Sequence, residues 1–373
     1  MSQWVAVWGQ AHTDISQLAF GKKSHTVRMA FPVGVSGTEL RLRFANYEGK
    51  KPLHIDAVTA GVRGRAVQTV RFAGKEEAEL LPGADICSDP LPVDVKMGDD
   101  ITVTMALTGC FGSGNMPNEM IQTSKKGNYA HEAQMPLATK NFNERFFDLK
   151  PVLPALAAVE VLTEETPEVI VCIGNSITQQ GQWTNPLRDM FRNAGIPVSI
   201  VNEGIGGNRL IHDAMPGMPM YGKSAVHRFE RDVLRRSGVT AVIIEEGTND
   251  LNMAKDDKEL ALCDADHLAA AYTDLVKKAK DAGLKVYAAT VTPRGGTKNW
   301  TEWRESERQK LNDWMRRCGL FDGVLDYDAV TQDAVNSKIF APACDSGDHL
   351  HPNSIGGLRM ASEAFRILKE TLL

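Results

Sequence analysis

Four short words in the second half of the chain carry the residue types needed for acyl transfer. In chain order they are GNSIT at 174–178, GGN at 206–208, GTND at 247–250 and DHLHP at 348–352. A serine can act as a nucleophile, glycine N–H and asparagine amide groups can stabilise an oxyanion, and an aspartate can orient a histidine base. Each word alone is a weak signal, whereas all four in this order indicate one catalytic site.

Ser176 is the candidate nucleophile. It follows an apolar run and a glycine and precedes a candidate helix. We therefore expect it at the rim of a sheet, beside a helix N-terminus that favours developing negative charge. Taken alone, the same pattern fits a serine that only caps the helix. The surrounding residues do not form the Gly-x-Ser-x-Gly elbow of the α/β-hydrolases.

Asp348 and His351 are the candidate acid and base. In a turn or at a helix start, a carboxylate three residues before a histidine can bind one ring nitrogen and leave the other free to take the serine proton. His349 is a competing histidine that we expect to point elsewhere. Pro352 suits the first position of the helix expected to follow. The alternative is an Asx turn with His351 on the surface.

Gly207 and Asn249 are the candidate oxyanion donors. Glycine lets a backbone N–H approach a ligand closely, and an asparagine amide is a neutral donor. The alternative for each is a role as a turn residue in a strand-to-helix loop.

Candidate substrate contacts are Asn208, Arg294, Trp300 and Trp303. The last three lie in or just after a glycine-rich loop that follows the fourth apolar run of the second half, so they are expected at the same rim as the words. There they could line a substrate pocket. Packing of the loop against the protein is the alternative.

Glu245 and Glu246 precede the third word. Two adjacent acids could suggest glycoside hydrolysis. However, neighbours on a strand point to opposite faces, and the carboxylate pair of a glycosidase must face one cleft. We therefore interpret both residues as structural, or as supports for the residues that contact the substrate.

The elements that position these words follow from the hydrophobic periodicity of 166–373. Short apolar runs alternate with amphipathic segments, which predicts a parallel sheet with helices on both faces. The predicted strands are at 169–173, 198–201, 241–245, 285–290 and 323–325. The predicted helices are at 183–194, 224–236, 264–282, 302–317 and 355–373. Ligands bind at the carboxyl ends of such strands, and the first three words lie there.

Residues 1–165 have the period-2 alternation of strands and are predicted to form an all-β sandwich domain. In the run from 101 to 107, for example, Ile101, Val103 and Met105 alternate with threonines. The stretch 109–143 is polar and rich in glycine and asparagine, and we predict a long functional or mobile loop there.

The composition is typical of a globular protein with two domains. The chain has 373 residues, of which 43% are hydrophobic, and can bury a sizeable core. A net charge of −5 argues against nucleic acid or an anionic membrane as a partner, and no apolar run is long enough to span a bilayer. The six cysteines form no CxxC pair or Cys/His cluster, so we predict no metal site. The first residues show no basic, apolar leader, which favours a cytoplasmic protein, although a secreted chain without its leader would look the same.

The four words resemble those of the SGNH (GDSL-type) hydrolase family. Ser176, Gly207, Asn249 and His351 match its four namesake positions, and Asp348 matches the acid three residues before the histidine.

The resemblance extends beyond these words. LRLRFANYEGKKPLHI at 40–55 and SDPLPVDVKMGDDITVTM at 88–105 resemble a bacterial group of the family that carries an amino-terminal, jelly-roll-like β-sandwich. The family usually has Asp where this chain has Asn175, and the lost charge could alter how the nucleophile loop is held.

The resemblance implies a three-layer flavodoxin-like fold and ester hydrolysis through an acyl-enzyme, without a metal or organic cofactor. Ser176 would be the nucleophile, and its N–H would form the oxyanion hole with Gly207 N–H and the Asn249 side chain. His351 would be the general base and then the general acid, oriented by Asp348.

The leading functional hypothesis is an O-acetyl esterase that acts on acylated carbohydrate, because many relatives are deacetylases. Its substrate would be a small-molecule or oligosaccharide ester, with no nucleic-acid or membrane partner, and homo-oligomerisation is left open. One alternative is a lipid-like esterase, thioesterase or lysophospholipase of the same superfamily. Another is a carbohydrate-binding protein without catalytic activity.

Overall fold

The computed structural model describes residues 1–18, 24–109, 111–138, 152–254 and 257–372. The chain divides into two compact units, Met1–Pro167 and Glu168–Leu373.

The amino-terminal unit is built from antiparallel sheets. Its strands are β1 (Gln3–Gly9), β2 (Thr13–Asp14), β3 (His25–Pro32), β4 (Glu39–Ala45), β5 (Leu53–Val62), β6 (Gln68–Thr69), β7 (Ala78–Leu80), β8 (Asp85–Cys87), β9 (Asp100–Gly109), β10 (Ser113–Asn115), β11 (Met120–Lys126), β12 (Leu153–Pro154) and β13 (Leu156–Thr163). One sheet has the order β1-β13-β4-β8, a second has the order β11-β3-β9-β5-β6 with β7 also paired to β5, and a short third sheet has the order β12-β10-β2. A single 3-10 turn at Ser16–Leu18 interrupts the strands of the described part of this unit.

The two larger sheets bury their alternating apolar side chains between them. Ile101, Val103 and Met105 of β9 are fully buried, as the period-2 pattern predicts. Trp8 of β1 and Phe31 of β3 belong to different sheets, and their ring centroids lie 5.6 Å apart. The predicted all-β sandwich is confirmed.

The predicted long loop at 109–143 is wrong for much of its length. Strands β10 and β11 lie within it, and β11 is the edge strand that pairs with β3. The buried hydroxyl of Ser124 accepts a hydrogen bond from the Thr26 N–H at 2.9 Å, which helps to hold this pairing. Polarity of an edge strand, half exposed to solvent, explains why the pattern resembled a loop. Residues 110 and 139–143 lie outside the described residues.

The carboxy-terminal unit is a parallel sheet with helices on both faces. Its strands are β14 (Glu168–Gly174), β15 (Val198–Gly204), β16 (Ala241–Glu245), β17 (Lys285–Ala289) and β18 (Gly323–Leu325), in the order β15-β14-β16-β17-β18. Its α-helices are α1 (Ser176–Gln179), α2 (Thr184–Asn193), α3 (Ala225–Phe229), α4 (Thr248–Asn252), α5 (Asp257–Ala261), α6 (Ala265–Asp281), α7 (Glu302–Arg317), α8 (Tyr327–Thr331) and α9 (Ser354–Leu372). A 3-10 turn lies at Pro219–Tyr221, and α3 continues as a π-helical turn over Glu230–Leu234.

The three layers follow from the alternation along the buried strands. Ile170 and Cys172 of β14 pack in one apolar cluster with Leu187 of α2 and Met360 of α9. The intervening residues of each strand point to the opposite face, where α3 and α6 contact the sheet. The predicted three-layer, flavodoxin-like arrangement is therefore confirmed.

Two helices differ from the sequence prediction. The helix predicted over 224–236 is α-helical only over Ala225–Phe229 and then widens into the π-helical turn. The last helix begins at Ser354, and Asn353 caps it by accepting the N–H groups of Ile355 and Gly356 at 2.9 and 3.0 Å. Pro352 thus precedes the cap and does not occupy the first helical position.

Among the described residues, none of the helices has both the length and the apolar character required to cross a membrane.

Candidate active site

Ser176 lies at the carboxyl end of β14, as the first residue of α1. The helix is capped by Asn175, whose Oδ1 accepts the Ile177 N–H at 2.9 Å. The serine hydroxyl is therefore not needed as a cap. Ser176 Oγ instead lies 2.8 Å from Nε2 of His351, a residue 175 positions further along the chain.

His351 is held between the serine and an acid. Its Nδ1 lies 2.5 Å from Oδ2 of Asp348, and its own N–H donates to Oδ1 of Asp348 at 2.8 Å. With Nδ1 hydrogen-bonded to the carboxylate, Nε2 is the ring nitrogen that can accept the Ser176 proton. The structure thus brings the three predicted residues together in the order Ser–His–Asp.

Asp348 is kept ionised by the turn that contains it. Partial burial acts to raise its pKa, but hydrogen bonds from the His351 side chain and from the N–H groups of His351 and Leu350 outweigh burial and hold the pKa well below its ordinary value. Ser346 Oγ donates to the same carboxylate at 2.9 Å. An aspartate this acidic is present as the anion that can stabilise a histidinium.

The second histidine of the fourth word points away from the serine, as predicted. His349 Nδ1 lies 2.6 Å from Oδ2 of Asp345, and its N–H donates to Oδ1 of Asp345 at 3.1 Å. His349 has a φ of 62°, a left-handed conformation that is uncommon for residues other than glycine. This backbone conformation directs the two histidines of the word to different acids.

Gly207 occupies a position that only glycine fits. Its φ is +77°, and a Cβ built there would lie 2.4 Å from a ring carbon of Tyr221. Within the described part of the chain, no backbone carbonyl accepts the N–H of Gly207 or of Ser176. Both groups are therefore available to an oxyanion.

Asn249 is a buried residue of α4, and its side-chain amide donates to the carbonyl oxygen of Asn208 at 2.8 Å. An amide nitrogen carries two hydrogens, so this bond orients the group and leaves the second hydrogen for a ligand. Asp250, the next residue, accepts the N–H groups of Leu210 and Ile211 at 2.7 and 3.0 Å. The third word thereby fixes the loop that carries the second word.

Asn208, predicted as a substrate contact, is only 1% exposed and its side chain is fully used inside the protein. Its Nδ2 donates to the carbonyl groups of Tyr221 and Lys223, both at 2.8 Å, and its Oδ1 accepts from Arg228 Nε at 3.0 Å. These bonds give Asn208 a positioning role for the Gly207 loop and leave no group of its side chain to face a substrate.

Arg228 joins the loops of the first two words, and sequence reasoning did not identify it. The side chain is fully buried and donates to the carbonyl groups of Gly174 and Glu203 at 3.0 and 2.7 Å, besides its bond to Asn208. Gly174 and Glu203 stand at the carboxyl ends of β14 and β15. The buried cation therefore sets the spacing between the serine loop and the glycine loop. Its sequence signal is a plain helical arginine, which gives no hint of this contact.

Arg294 is fully buried, and its guanidinium donates to the carbonyl groups of Thr248 and Leu251 of α4 at 2.9 and 3.4 Å. This placement corresponds to the packing alternative, since a buried side chain cannot line a pocket. Trp300 is partly buried, and Trp303 is 41% exposed at the start of α7. Trp300 belongs to the segment between β17 and α7 and Trp303 comes just after it; Gly296 of the same segment approaches the fourth word, because a Cβ there would lie 3.1 Å from the His349 ring.

Glu245 and Glu246 are both buried, in agreement with a structural role. The two oxygens of Glu245 accept hydrogen bonds from Asn175 Nδ2 and Thr178 Oγ1, both at 2.9 Å. Burial raises the pKa of Glu245 to about 7, although these bonds oppose the shift. Glu246 lies 3.7 Å from Arg228, and burial raises its pKa well above the ordinary value. Glu245 thus supports the loop that carries Ser176, whereas Glu246 faces Arg228.

Comparison with known proteins identifies the class to which this site belongs. Residues 172–357 match the family model described as GDSL-like lipase/acylhydrolase. A GDSL-like lipase from Bacteroides thetaiotaomicron is similar to 54% of this chain over 88% of its own length, at 20% identity and a TM-score of 0.42. An acetylxylan esterase from Geobacillus stearothermophilus is similar to 54% of this chain over 94% of its own length, at 19% identity and a TM-score of 0.42. No curated protein sequence matches the chain.

The carboxy-terminal unit is thus a hydrolase domain. Residues 172–357 of this unit form a GDSL-like lipase/acylhydrolase domain, of the family that is also called the SGNH hydrolase family.

Proposed function

We propose that the protein is a serine-dependent carboxylester hydrolase that works through an acyl-enzyme. The observation that carries this proposal is the continuous hydrogen-bonded chain from Ser176 Oγ through the His351 ring to the Asp348 carboxylate, with separations of 2.8 and 2.5 Å. Serine is a weak nucleophile unless a base stands within hydrogen-bond distance, and this arrangement supplies that base together with the group that orients it.

The reaction then follows from the geometry. His351 Nε2 takes the Ser176 proton as Oγ attacks the ester carbonyl carbon, and the resulting histidinium is stabilised by the Asp348 carboxylate. Collapse of the tetrahedral intermediate breaks the bond to the alcohol, which leaves with the proton from His351. Water, deprotonated by the same nitrogen, attacks the acyl-enzyme; the bond to Ser176 Oγ then breaks, His351 returns the proton to Oγ, and the acid is released.

The negative charge on the carbonyl oxygen would be held by three donors. They are the N–H groups of Ser176 and Gly207 and the second amide hydrogen of Asn249. Donors fixed before the reaction stabilise such a charge without reorganisation, and here Gly207 is fixed by its tight packing on Tyr221 and Asn249 by its bond to Asn208.

For the substrate, we favour an O-acetyl ester of a carbohydrate. An exposed aromatic ring suits the apolar face of a sugar, and Trp303 offers one near the loop that approaches the fourth word.

A lipid-like ester is the second candidate. Ile355 and Leu358, each 50% exposed, lie in the first turns of α9, shortly after His351 in the chain. Exposed apolar side chains beside a catalytic residue would suit a longer acyl chain.

The experiment is to measure hydrolysis of p-nitrophenyl esters from acetyl to dodecanoyl by the wild type and by Ser176→Ala. Turnover that is greatest for acetyl and absent in the variant would support the deacetylase and justify assays with acetylated oligosaccharides. A maximum at long chains would favour the lipid-like candidate. No turnover at any chain length would overturn the esterase proposal, and binding of oligosaccharides by both proteins would then point to a non-catalytic carbohydrate-binding protein.

A further inference from the structure

The residue before the nucleophile is held by a buried carboxyl group. Asn175 Nδ2 donates to Oε1 of Glu245 at 2.9 Å and to the backbone carbonyl of Glu245 at 3.1 Å. Thr178 Oγ1 donates to the other carboxyl oxygen at 2.9 Å. Asn175 and Thr178 are fully buried and Glu245 is 2% exposed, so these groups have no water to replace a lost partner.

The partners of the amide oxygen and the amide nitrogen determine the orientation of the Asn175 side chain. Its oxygen accepts the Ile177 N–H at 2.9 Å, which is the cap of α1, so its nitrogen must face Glu245. The cap sets the first turn of α1, where Ser176 is the first residue. A change in the bond to Glu245 therefore acts directly on the backbone that presents the serine hydroxyl.

We propose that Asn175 and Glu245 form a coupled positioning pair, in which Glu245 holds the Ser176 loop through the Asn175 amide and requires a hydrogen-bond donor at position 175. The catalytic part of this inference rests on the proposed serine-hydrolase function. Neither residue touches the reacting atoms; both act through the placement of Ser176.

The pair explains why the aspartate that is usual in this family would not fit here. An aspartate at 175 would place two carboxyl groups 2.9 Å apart in a buried site, where both can be tolerated only if they share a proton. The next residue, Glu246, brings a third buried carboxyl group close to this site. The carboxyl oxygens of Glu246 accept no hydrogen bond from the described residues, and the nearest cation, Arg228, is 3.7 Å from one of them. Asn175 supplies the donor that Glu245 needs and adds no charge.

Exchanging the amide and the carboxyl group between positions 175 and 245 would keep most of the hydrogen bonds and move the carboxyl group from 245 to 175. In Asn175→Asp/Glu245→Gln, the new carboxylate can accept the Ile177 N–H and one amide hydrogen of the glutamine, and the glutamine oxygen can accept from Thr178. Only the bond to the backbone carbonyl of residue 245 has no counterpart. We therefore expect the exchange to recover most, but not all, of what the single substitution loses.

The experiment is a double-mutant cycle of wild type, Asn175→Asp, Glu245→Gln and the double variant, assayed at alkaline pH with p-nitrophenyl acetate and by thermal unfolding. Asn175→Asp should lower kcat by about 30-fold or more with little change in KM, and should lower Tm by about 4 °C or more. The double variant should regain about tenfold in kcat and at least half of the lost Tm. Asn193→Asp, which adds the same charge at an exposed position on α2, is the matched control and should change neither quantity.

A double variant that is no better than Asn175→Asp in kcat and Tm would overturn the pair, and so would an Asn175→Asp protein that equals the wild type in both. If Asn175→Asp fails to fold, a folded double variant supports the pair and an unfolded one overturns it. If the wild type hydrolyses no ester, the function proposed above fails, whereas the Tm values of the cycle still decide whether the two residues are coupled.

Discussion

The side-chain amide of Asn249 donates a hydrogen bond to the backbone carbonyl of Asn208, 2.8 Å away. This bond joins the helix that follows β16 to the loop that follows β15. Asp250 reinforces the same junction by accepting the N–H groups of Leu210 and Ile211. Two of the proposed oxyanion donors, Gly207 and Asn249, thus lie on segments that are fixed to each other before any substrate binds.

Removal of Asn249 tests this relationship. Asn249→Ala should lower kcat for p-nitrophenyl acetate by about 10²-fold, the effect of one missing oxyanion donor, with a smaller change in KM. Steady-state kinetics and a thermal unfolding curve separate loss of the donor from loss of the fold. Unchanged kcat in a folded variant would remove Asn249 from the oxyanion hole.

Loss of the proposed nucleophile or of the proposed base should be more severe. Ser176→Ala and His351→Ala should each lower kcat by about 10³-fold or more, and the double variant should be little worse than either single one, because the residues act as a unit. His349→Ala is the matched control, since this neighbouring histidine pairs with Asp345, and we expect near wild-type turnover. Equal losses in the His349 and His351 variants would contradict the assignment of the base.

Gly207→Ala should destabilise the unit and slow catalysis. The new methyl group would combine a φ of +77° with a separation of 2.4 Å from the Tyr221 ring, and each effect costs about 1–3 kcal/mol. Gly217→Ala separates the two effects, because Gly217 has a φ of +84° but no atom within 4 Å of its Cβ position. Urea unfolding should show a larger loss of unfolding free energy at 207 than at 217. Equal losses would mean that the Tyr221 ring moves away from the new methyl group without lowering the unfolding free energy.

Glu245 should make stability dependent on pH. Burial raises its pKa from an ordinary 4.5 to about 7, so the folded chain holds this proton more tightly than the unfolded chain does. The resulting stabilisation is fully present below pH 4.5 and is lost as the pH rises through about 7. Relative to Glu245→Gln, the wild type should lose about 3 kcal/mol of unfolding free energy from acid to alkaline pH.

Urea unfolding at a series of pH values measures that difference. Glu302→Gln, at an exposed position on α7, is the control and should run parallel to the wild type. If the plot of unfolding free energy against pH for Glu245→Gln also runs parallel to that of the wild type, the buried carboxyl does not change its proton affinity on folding.

Much of the catalytic unit's architecture could be predicted from hydrophobic periodicity. The predicted strands 241–245 and 323–325 coincide with β16 and β18, and the helix predicted at 302–317 coincides with α7. Continuous apolar runs between amphipathic segments leave few alternatives to a covered parallel sheet. The edge strand β11 was missed because it is half exposed and its pattern is polar.

The residues of the site and their common location could also be predicted from the sequence. The first three words each follow an apolar strand, and parallel strands end at the same edge of a sheet. The sequence could not show which atoms of these residues face one another. Ser176 and His351 are 175 positions apart, and only the folded chain brings Oγ to 2.8 Å from Nε2. The sequence left both a pocket wall and a packing role open for Arg294, and burial of its side chain decides for packing.

The sequence by itself determined the main strands and helices of the carboxy-terminal unit, the candidate nucleophile, base and oxyanion donors, and the resemblance to the family. The tertiary structure alone decided the supporting contacts: Arg228 between two strand ends, Asn249 on the Asn208 carbonyl, and Glu245 beneath Asn175. The physical reason is that periodicity records only which side of an element is buried. The partner of a buried polar group is chosen by long-range packing, which places donors and acceptors from distant segments within hydrogen-bond distance.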